Sequence, residues 1–177
     1  MIARARNECR LSATTSVSDA VRLTTLSIVC VGTPSQLNGN LDLSFVRRVC
    51  EEIGTALRDK PNFHVVVIRS TILPDSMRNV VIPVLEASSK KIAGKDFGVC
   101  NNPELLREGI AVFDYNNPPK TVIGESDALA GNVLLRLYSH FGAPLIRTTI
   151  EVAEMVKYVD NNLHALKVSF ANEIGSL

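Results

Sequence analysis

Tryptophan is absent from the 177-residue sequence, and cysteine is scarce, with four residues at positions 9, 30, 50 and 100. No CxxC pair occurs and no histidine cluster lies near these cysteines, so the sequence predicts no metal site. Sparse, unpaired cysteine of this kind is typical of a reduced, cytosolic protein.

Long apolar runs are missing as well. No segment approaches the roughly 18 consecutive apolar residues that a membrane-spanning helix needs. The basic start, MIARARNECRLS, is not followed by the apolar region of a secretory signal. We therefore expect a cytoplasmic protein that does not have a membrane as a partner.

Neither sign of charge is in large excess. The 19 lysine and arginine residues nearly balance the 18 acidic residues, which gives a formal net charge of +1. This balance offers no basis for nucleic-acid binding. Hydrophobic residues make up 46% of the chain, enough to fill the core of one medium-sized domain.

Apolar, β-branched runs alternate along the chain with segments of helical periodicity. Strands are predicted over residues 26–31, 64–69, 97–100, 121–123 and 144–147. A helix capped by Ser16 or Ser18 is predicted before the first strand. Further helices are predicted between the strands, the first capped by Asp42, with one or two helical turns over residues 105–113. This alternation predicts an α/β fold with a mostly parallel sheet and helices on both faces.

The last predicted helix is the longest. Thr148 and Glu151 have the S/T-x-x-E spacing of a capping box, and neither proline nor glycine follows until Gly175. Because this length exceeds that of the average globular helix, we expect the helix to join two domains.

One side of this helix carries an unusual set of polar groups. At about 100° per residue, a wedge of about 80° contains Lys157, Asn161, His164 and Asn172. All four can donate directional hydrogen bonds to an anionic, hydroxyl-rich ligand, although a plain amphipathic helix explains the pattern equally well. The opposite side is expected to pack on a core; it carries Met155, Val159, Leu163, Leu166 and Phe170.

Two predicted strands end in turns that carry a hydroxyl group. Thr33 follows the first strand and Thr71 follows the second. Ligands of open parallel sheets bind beyond the carboxyl ends of the strands, and a helix starting at Thr71 would favour a pyrophosphate. Ordinary capping explains each turn alone at least as well. Two such turns on one sheet edge are more indicative of a binding site than either alone.

A polar cluster follows the third strand, over residues 102–109 (NPELLREG). Glu104 and Glu108 would share one face if this segment were helical, and one of them could then activate a water molecule. A solvated loop in which Arg107 pairs with an acid is the alternative, and the spacing alone does not decide between the two.

Four motifs carry a resemblance to a known family. In order, they are IVCVGTP at 28–34, RSTILP at 69–74, NPELLRE at 102–108 and VAEMVKY at 152–158. Their order and spacing resemble those of the UDP-glucose/GDP-mannose dehydrogenases, over about residues 10–177. Asn161-x-x-His164 and FANEIG at 170–175 resemble the GDP-mannose branch in particular.

The resemblance implies an enzyme that oxidises a sugar C6 alcohol to a carboxylate in two steps, with NAD as the cofactor. Thr33 and Thr71 would contact NAD. The catalytic residues would be Glu104, which positions or activates a water, together with Lys157 and Asn161. Lys157 would stabilise negative charge on the C6 oxygen.

The resemblance also implies the partners of the complete protein. The nucleotide sugar, with GDP-mannose favoured, would be contacted by Glu108, Lys157, Asn161, His164 and Asn172. Full-length members of the family are homodimers built around the long helix. The product GDP-mannuronate would feed the biosynthesis of an alginate-type polysaccharide.

The resemblance divides the chain into two parts. Residues 1–147 would be the C-terminal portion of an incomplete Rossmann-like NAD-binding domain, and residues 148–177 the start of a central helical domain for dimerisation and substrate binding. The family's glycine-rich fingerprint is expected before residue 1 and its catalytic cysteine beyond Leu177. The alternatives are a segment of a UDP-sugar 6-dehydrogenase and a non-catalytic remnant or binding module.

Because these parts are expected outside the chain, we expect the 177-residue polypeptide alone not to oxidise GDP-mannose. The measurement is the absorbance of NADH after the purified chain is mixed with GDP-mannose and NAD⁺. Sustained turnover would contradict the assignment of essential residues to segments outside this chain.

Overall fold

The computed structural model describes residues 2–107 and 109–177. Within these ranges the strands are β1 (Leu26–Val29), β2 (Val65–Ile68), β3 (Gly98–Asn101), β4 (Thr121–Glu125) and β5 (Leu145–Thr149). The α-helices are α1 (Ile2–Asn7), α2 (Val17–Leu23), α3 (Ser44–Arg58), α4 (Ile82–Ser89), α5 (Ala111–Asn116), α6 (Ala128–Tyr138) and α7 (Ile150–Gly175), and a π-helical segment, Met77–Val81, leads into α4. All five predicted strands are confirmed, each ending within two residues of its predicted bounds.

The strands form one sheet in the order β1-β2-β3-β4-β5. The pairs β1–β2, β2–β3 and β4–β5 are parallel, and β3–β4 is antiparallel. The prediction of a mostly parallel α/β sheet is therefore confirmed.

The core lies on both faces of β2, the most deeply buried strand. Successive residues of a strand point to opposite faces. Val66 and Ile68 accordingly pack in the apolar cluster with α3 and α4, whereas Val65 and Val67 pack in the cluster with α6. Helices thus cover both faces, as the continuous apolar runs predict.

The start of α7 differs from the predicted capping box. The N-cap is Thr149 rather than Thr148, and its hydroxyl accepts a hydrogen bond from the backbone N–H of Val152. Glu151 forms an ion pair with Arg78 instead. Glu151 thus pairs with a residue distant in sequence instead of completing the capping box that the local spacing predicted.

The start of α3 is also shifted by one residue. Its N-cap is Leu43, which makes no side-chain capping bond, while the carboxylate of Asp42 accepts the backbone N–H of Ser44 over 2.8 Å. Ser16, by contrast, caps α2 as predicted and accepts the backbone N–H of Asp19.

The first turns of α7 pack directly on β4 because residue 124 is a glycine. A Cβ atom at Gly124 would lie 2.5 Å from Ala153 Cβ and 3.0 Å from both Ile150 Cα and the carbonyl oxygen of Thr149. Two of these neighbours are backbone atoms that cannot rotate away. The absence of a side chain therefore sets how closely α7 approaches the sheet.

Every residue of α7 from Tyr158 onwards is exposed. The side chains predicted to pack on a core are open to solvent; Val159 is 51%, Leu163 53% and Phe170 66% exposed. That prediction is wrong for this chain, because the sheet ends before this part of the helix. No helix within residues 2–107 and 109–177 combines the length and apolar character needed to cross a membrane.

His64, immediately before β2, is a fully buried titratable group at 0% exposure. Its Nε2 lies 2.9 Å from Ser27 Oγ and its Nδ1 3.2 Å from the carbonyl oxygen of Thr24. Burial is the main cause, and the charge of Lys60 a second one, that lowers the pKa of His64 from 6.5 to about 4.

This shift predicts that the chain loses stability as the pH falls. The unfolded chain binds a proton at His64 near its ordinary pKa and the folded chain only near pH 4, so between these values unfolding takes up a proton and the free energy of unfolding decreases as the pH falls. The loss is on the order of 3 kcal/mol. Urea unfolding from pH 7 to pH 4 measures it, and His64→Gln, which can keep both hydrogen bonds, should show a shallower pH dependence. An unchanged slope in that variant would contradict the prediction.

Candidate functional site

Three loops meet at one edge of the sheet. β1, β2 and β3 run in the same direction, so the segments after them, residues 30–34, 69–75 and 102–107, start from the same side. This is the edge at which parallel sheets bind ligands. The predicted cofactor and acid–base residues all lie in these loops or on the adjoining α7.

The two threonine turns are joined directly. Thr33 Oγ1 donates a hydrogen bond to the carbonyl oxygen of Thr71 over 2.7 Å, and Ser70 Oγ donates to the carbonyl oxygen of Val31 over 2.6 Å. No heavy atom lies within 4 Å of a Cβ built at Gly32, so the first turn borders open space. Thr71 does not cap a helix, contrary to one reading of the sequence, because helical backbone begins only beyond Asp75.

Lys157 and Glu104 form an ion pair where α7 meets this edge. Lys157 Nζ lies 2.9 Å from Glu104 Oε1, and the backbone N–H of Leu106 donates to Glu104 Oε2 over 2.7 Å. Lys157 is only 7% exposed. A buried ammonium requires an opposite charge, so Glu104 is the group that makes the burial of Lys157 tolerable.

The pair also sets the ionisation of Glu104. Partial burial alone raises the pKa of Glu104, but hydrogen bonds from Lys157 and from the backbone of Leu106, with the charges of Lys157 and Arg69, lower it below its usual value. Glu104 is therefore a carboxylate at neutral pH. Its remaining lone pairs can accept a proton or a hydrogen bond from a water molecule.

A buried polar network supports the loop that carries Glu104. Asn102 Oδ1 accepts hydrogen bonds from Arg69 Nη1 and from the Tyr138 hydroxyl, each over 2.7 Å, and Asn102 Nδ2 donates to the carbonyl oxygen of Val122 over 2.8 Å. Arg69 Nη1 also donates to the Tyr138 hydroxyl over 3.0 Å. The network ties β2, β4 and α6 to the loop. Sequence reasoning missed Tyr138, for which no motif or spacing gives a signal.

The segment after Glu104 is not helical as far as the structure describes it. Helix α5 lies over 111–116 instead of 105–113, so the condition under which Glu104 and Glu108 would share a helical face is not met. Arg107 pairs with Asp114, with Arg107 Nη2 lying 2.8 Å from Asp114 Oδ1. The alternative of a loop with Arg107 bound to an acid is thus the one observed.

The other predicted substrate residues are not brought to the pair. Asn161, His164 and Asn172 lie on the exposed part of α7. Within residues 2–107 and 109–177, no hydrogen bond joins the side chain of any of them to the Glu104 loop. Glu108 lies outside the described residues. The roles predicted for all these residues, and for Thr33 and Thr71, stay predictions.

Two of the four thiols are unsuited to nucleophilic chemistry. Cys50 and Cys100 are buried, and desolvation raises the pKa of each to about 12. A thiol reacts as its thiolate, which such a pKa suppresses. Cys9 and Cys30 are exposed.

Comparison with known families agrees with this geometry. The model described as "UDP-glucose/GDP-mannose dehydrogenase family, NAD binding domain" matches residues 1–142. The chain belongs to this family. The predicted family, the Rossmann-like fold and NAD as the cofactor of the matching family domain are thereby confirmed.

Members of the family are similar over almost the whole chain. A GDP-mannose 6-dehydrogenase of Azotobacter vinelandii is 56% identical over 95% of the chain and 38% of the relative, and that of Pseudomonas aeruginosa is 52% identical over 100% and 41%. The crystal structure of a ternary complex of GDP-mannose dehydrogenase from Pseudomonas aeruginosa superimposes with a TM-score of 0.96 at 54% identity, covering 98% of the chain and 40% of that protein. The chain thus spans about two fifths of the length of these relatives.

UDP-sugar enzymes of the family are more distant. A UDP-glucose dehydrogenase from Pyrobaculum islandicum has a TM-score of 0.92 at 37% identity, over 98% of the chain and 39% of that protein. UDP-glucose 6-dehydrogenase TuaD of Bacillus subtilis is 34% identical over 95% of the chain and 35% of the relative.

The ion pair predicts an asymmetric response to substitution. Glu104→Gln leaves the ammonium of Lys157 without its carboxylate and should lower the free energy of unfolding by about 1–2 kcal/mol, less than for a fully buried pair because Glu104 is partly exposed. Adding Lys157→Met should restore part of that loss. Urea unfolding of the single and double variants measures both effects.

Glu52 provides the matched control. It pairs with Arg48 on the exposed side of α3, with Arg48 Nε 3.1 Å from Glu52 Oε1. Glu52→Gln should change the free energy of unfolding by less than about 0.5 kcal/mol. Equal losses for Glu104→Gln and Glu52→Gln would contradict the burial argument.

Proposed function

We propose that the chain is a segment of an NAD-dependent nucleotide-sugar 6-dehydrogenase that oxidises GDP-mannose to GDP-mannuronate. The observation that carries this proposal is the 2.9 Å contact between Lys157 and Glu104. It puts a fixed cation and an ionised carboxylate at the same sheet edge as the joined turns of Thr33 and Thr71. Such a site can bind a dinucleotide at the threonine turns and an alcohol and a water molecule at the Lys157–Glu104 pair.

The residues at this edge are suited to NAD. Thr33 uses its hydroxyl proton on Thr71, which leaves its oxygen as an acceptor for a ligand hydroxyl or amide. The open space beside Gly32 admits a ligand against the backbone. NAD, when bound, accepts the hydride that leaves the sugar C6. The role of the two threonines is to hold the cofactor at the carboxyl ends of β1 and β2.

Lys157 and Glu104 have complementary roles in this proposal. The ammonium of Lys157 stabilises negative charge on the C6 oxygen, in a buried setting where such stabilisation is strong. The ionised carboxylate of Glu104 takes one proton from a water molecule, whose oxygen attacks the oxidised intermediate during hydrolysis. Asn161, one helical turn after Lys157, assists at the same oxygen as the third catalytic residue.

The remaining polar residues of the wedge would serve the nucleotide sugar. Asn161, His164 and Asn172 continue the line of Lys157 along α7, and their exposure leaves them free to donate to a ligand. Glu108 completes the proposed substrate set. None of Cys9, Cys30, Cys50 or Cys100 is proposed as the nucleophile that captures the aldehyde.

The choice of GDP-mannose rests on similarity. The GDP-mannose 6-dehydrogenases are 52–56% identical to the chain, against 34–37% for the UDP-glucose dehydrogenases. A UDP-sugar 6-dehydrogenase is the second candidate. Cytoplasmic location and a place in alginate-type polysaccharide biosynthesis stay predictions that accompany this substrate.

We also propose the two-part division, with an NAD-binding portion over 1–147 and the start of a dimerisation and substrate-binding domain over 148–177. The change in environment along α7 supports it. The helix is buried against the sheet at Ala153 and Lys157 and exposed from Tyr158 on, with a row of large apolar side chains. A homodimer built around this helix would cover that row.

The test is the activity of the complete product of the reading frame that contains this chain. We expect NADH to form with GDP-mannose at a kcat/KM at least about tenfold above that with UDP-glucose, with two NADH per sugar oxidised. Lys157→Ala should lower kcat by roughly a hundredfold or more. Lys167→Ala, on the exposed part of the same helix, is the matched control and should leave kcat close to that of the parent.

Faster turnover of UDP-glucose would favour the second candidate. No NADH with any nucleotide sugar, from a folded protein, would favour a non-catalytic binding module. Equal effects of the two lysine substitutions would remove the role proposed for Lys157.

A further inference from the structure

Glu154 is a carboxyl side chain buried between α7 and the turn after β2. It is only 1% exposed. The backbone N–H of Asp75 donates to Glu154 Oε2 over 2.9 Å, and that of Met77 donates to Oε1 over 2.8 Å. These amides stand at the start of a helical segment, where backbone donors have no partner within the helix. Glu154 therefore caps the segment leading into α4 from a different helix.

The capped turn has a conformation that needs support. Asp75 has a φ of 68°, in the left-handed region that costs free energy for a residue with a side chain. Its own N–H is one of the two that Glu154 accepts. Four residues earlier lies Thr71, whose carbonyl oxygen accepts the hydroxyl of Thr33. The far end of the threonine turn is thus held by α7.

Glu154 and Lys157 share one turn of α7. Three residues apart, they are separated by about 60° around the helix axis and about 4.5 Å along it. Both are buried on the side that faces the sheet. Three contacts, Thr33–Thr71, Asp75–Glu154 and Lys157–Glu104, therefore connect the proposed cofactor side to the proposed acid–base pair. The backbone of residues 71–75 and one turn of α7 join them.

We propose that Glu154 is a positioning residue that fixes the spacing between the Thr71 turn and the Lys157–Glu104 pair. This inference rests on the proposed function, since hydride transfer requires cofactor and substrate at a reacting distance and small displacements are costly. Glu154 contacts neither ligand in this proposal and acts only through the turn and the helix that it joins.

A second link between the same two elements offers a control. Arg78, in the capped segment, forms an ion pair with Glu151, one turn before Glu154. This pair is on the surface, where ion pairs contribute little. Glu151→Gln removes a negative charge from the preceding turn of α7 and leaves the buried cap in place.

Glu154→Gln is the decisive substitution. It replaces one carboxylate oxygen with an NH₂ group that meets a backbone N–H, so one of the two amides loses its acceptor and faces another donor. We expect the turn and α7 to move apart and Lys157 to withdraw from Glu104.

The first readout is the titration of the Glu104 carboxyl in the 177-residue chain, followed by carbon NMR. Within residues 2–107 and 109–177, the charged groups that face Glu104 are Lys157 and Arg69. Removing a negative charge at position 154 would by electrostatics alone lower the pKa of Glu104, whereas withdrawal of Lys157 raises it. The inference therefore predicts a higher pKa of Glu104 in Glu154→Gln and no rise in Glu151→Gln. A lower or unchanged pKa in folded Glu154→Gln would overturn it.

The second readout is steady-state kinetics of the complete enzyme. Glu154→Gln should raise KM for NAD and lower kcat, each by roughly tenfold or more, while Glu151→Gln should stay within about twofold of the parent. Equal changes in the two variants would overturn the inference. A parent protein without activity would defeat the proposed function, and the Glu104 titration would still decide the role of Glu154.

Circular dichroism and urea unfolding confirm that each variant is folded. If Glu154→Gln does not fold, Glu154→Asp replaces it, because it keeps the charge but is too short to reach both amides. It should show the same direction of change in the pKa of Glu104 and in KM for NAD. Values equal to those of the parent would overturn the inference.

Discussion

The orientation of α7 on the sheet depends on one ion pair, in which Lys157 is buried and Glu104 is partly exposed. Lys157 is almost removed from solvent, and Glu104 is the carboxylate that meets it. An ammonium without such a partner would be too costly to bury, so the helix cannot turn about its axis without breaking this contact. The loop that carries Glu104 is in turn tied to β2, β4 and α6 through Asn102. The same two side chains therefore hold α7 on the sheet and form the proposed acid–base pair.

The strands could be predicted from the sequence because each is a short run of apolar, mostly β-branched residues, of which Val65–Ile68 is the clearest. Helix starts were less predictable. Thr149 rather than Thr148 caps α7, and Glu151, which the local spacing assigned to a capping box, pairs instead with Arg78, a residue 73 positions away. Helical periodicity predicted that Val159, Leu163 and Phe170 pack on a core, but these side chains are exposed, because periodicity carries no information on where the helix leaves the sheet.

The candidate site was predictable where sequence motifs name the residues and unpredictable where folding alone creates the contact. Glu104 and Lys157 were selected from two motifs 53 positions apart, and the structure joins them. The support of Asn102 by Arg69 and Tyr138 has no counterpart in local spacing, since three separate elements contribute to it. Glu154 is part of the fourth motif, but its capping role was not predicted, because its partners are backbone amides and no sequence pattern identifies them.

Gly124 contributes no side chain to the site and still governs its geometry. A Cβ atom at this position would clash with the backbone of Thr149 and Ile150. The distance between α7 and β4 therefore depends on residue 124 having no side chain. Lys157 is two turns further along the same rigid rod, so a lift of the helix at β4 would be carried to its ammonium. The missing side chain at Gly124 thus helps to determine where the ammonium of Lys157 lies.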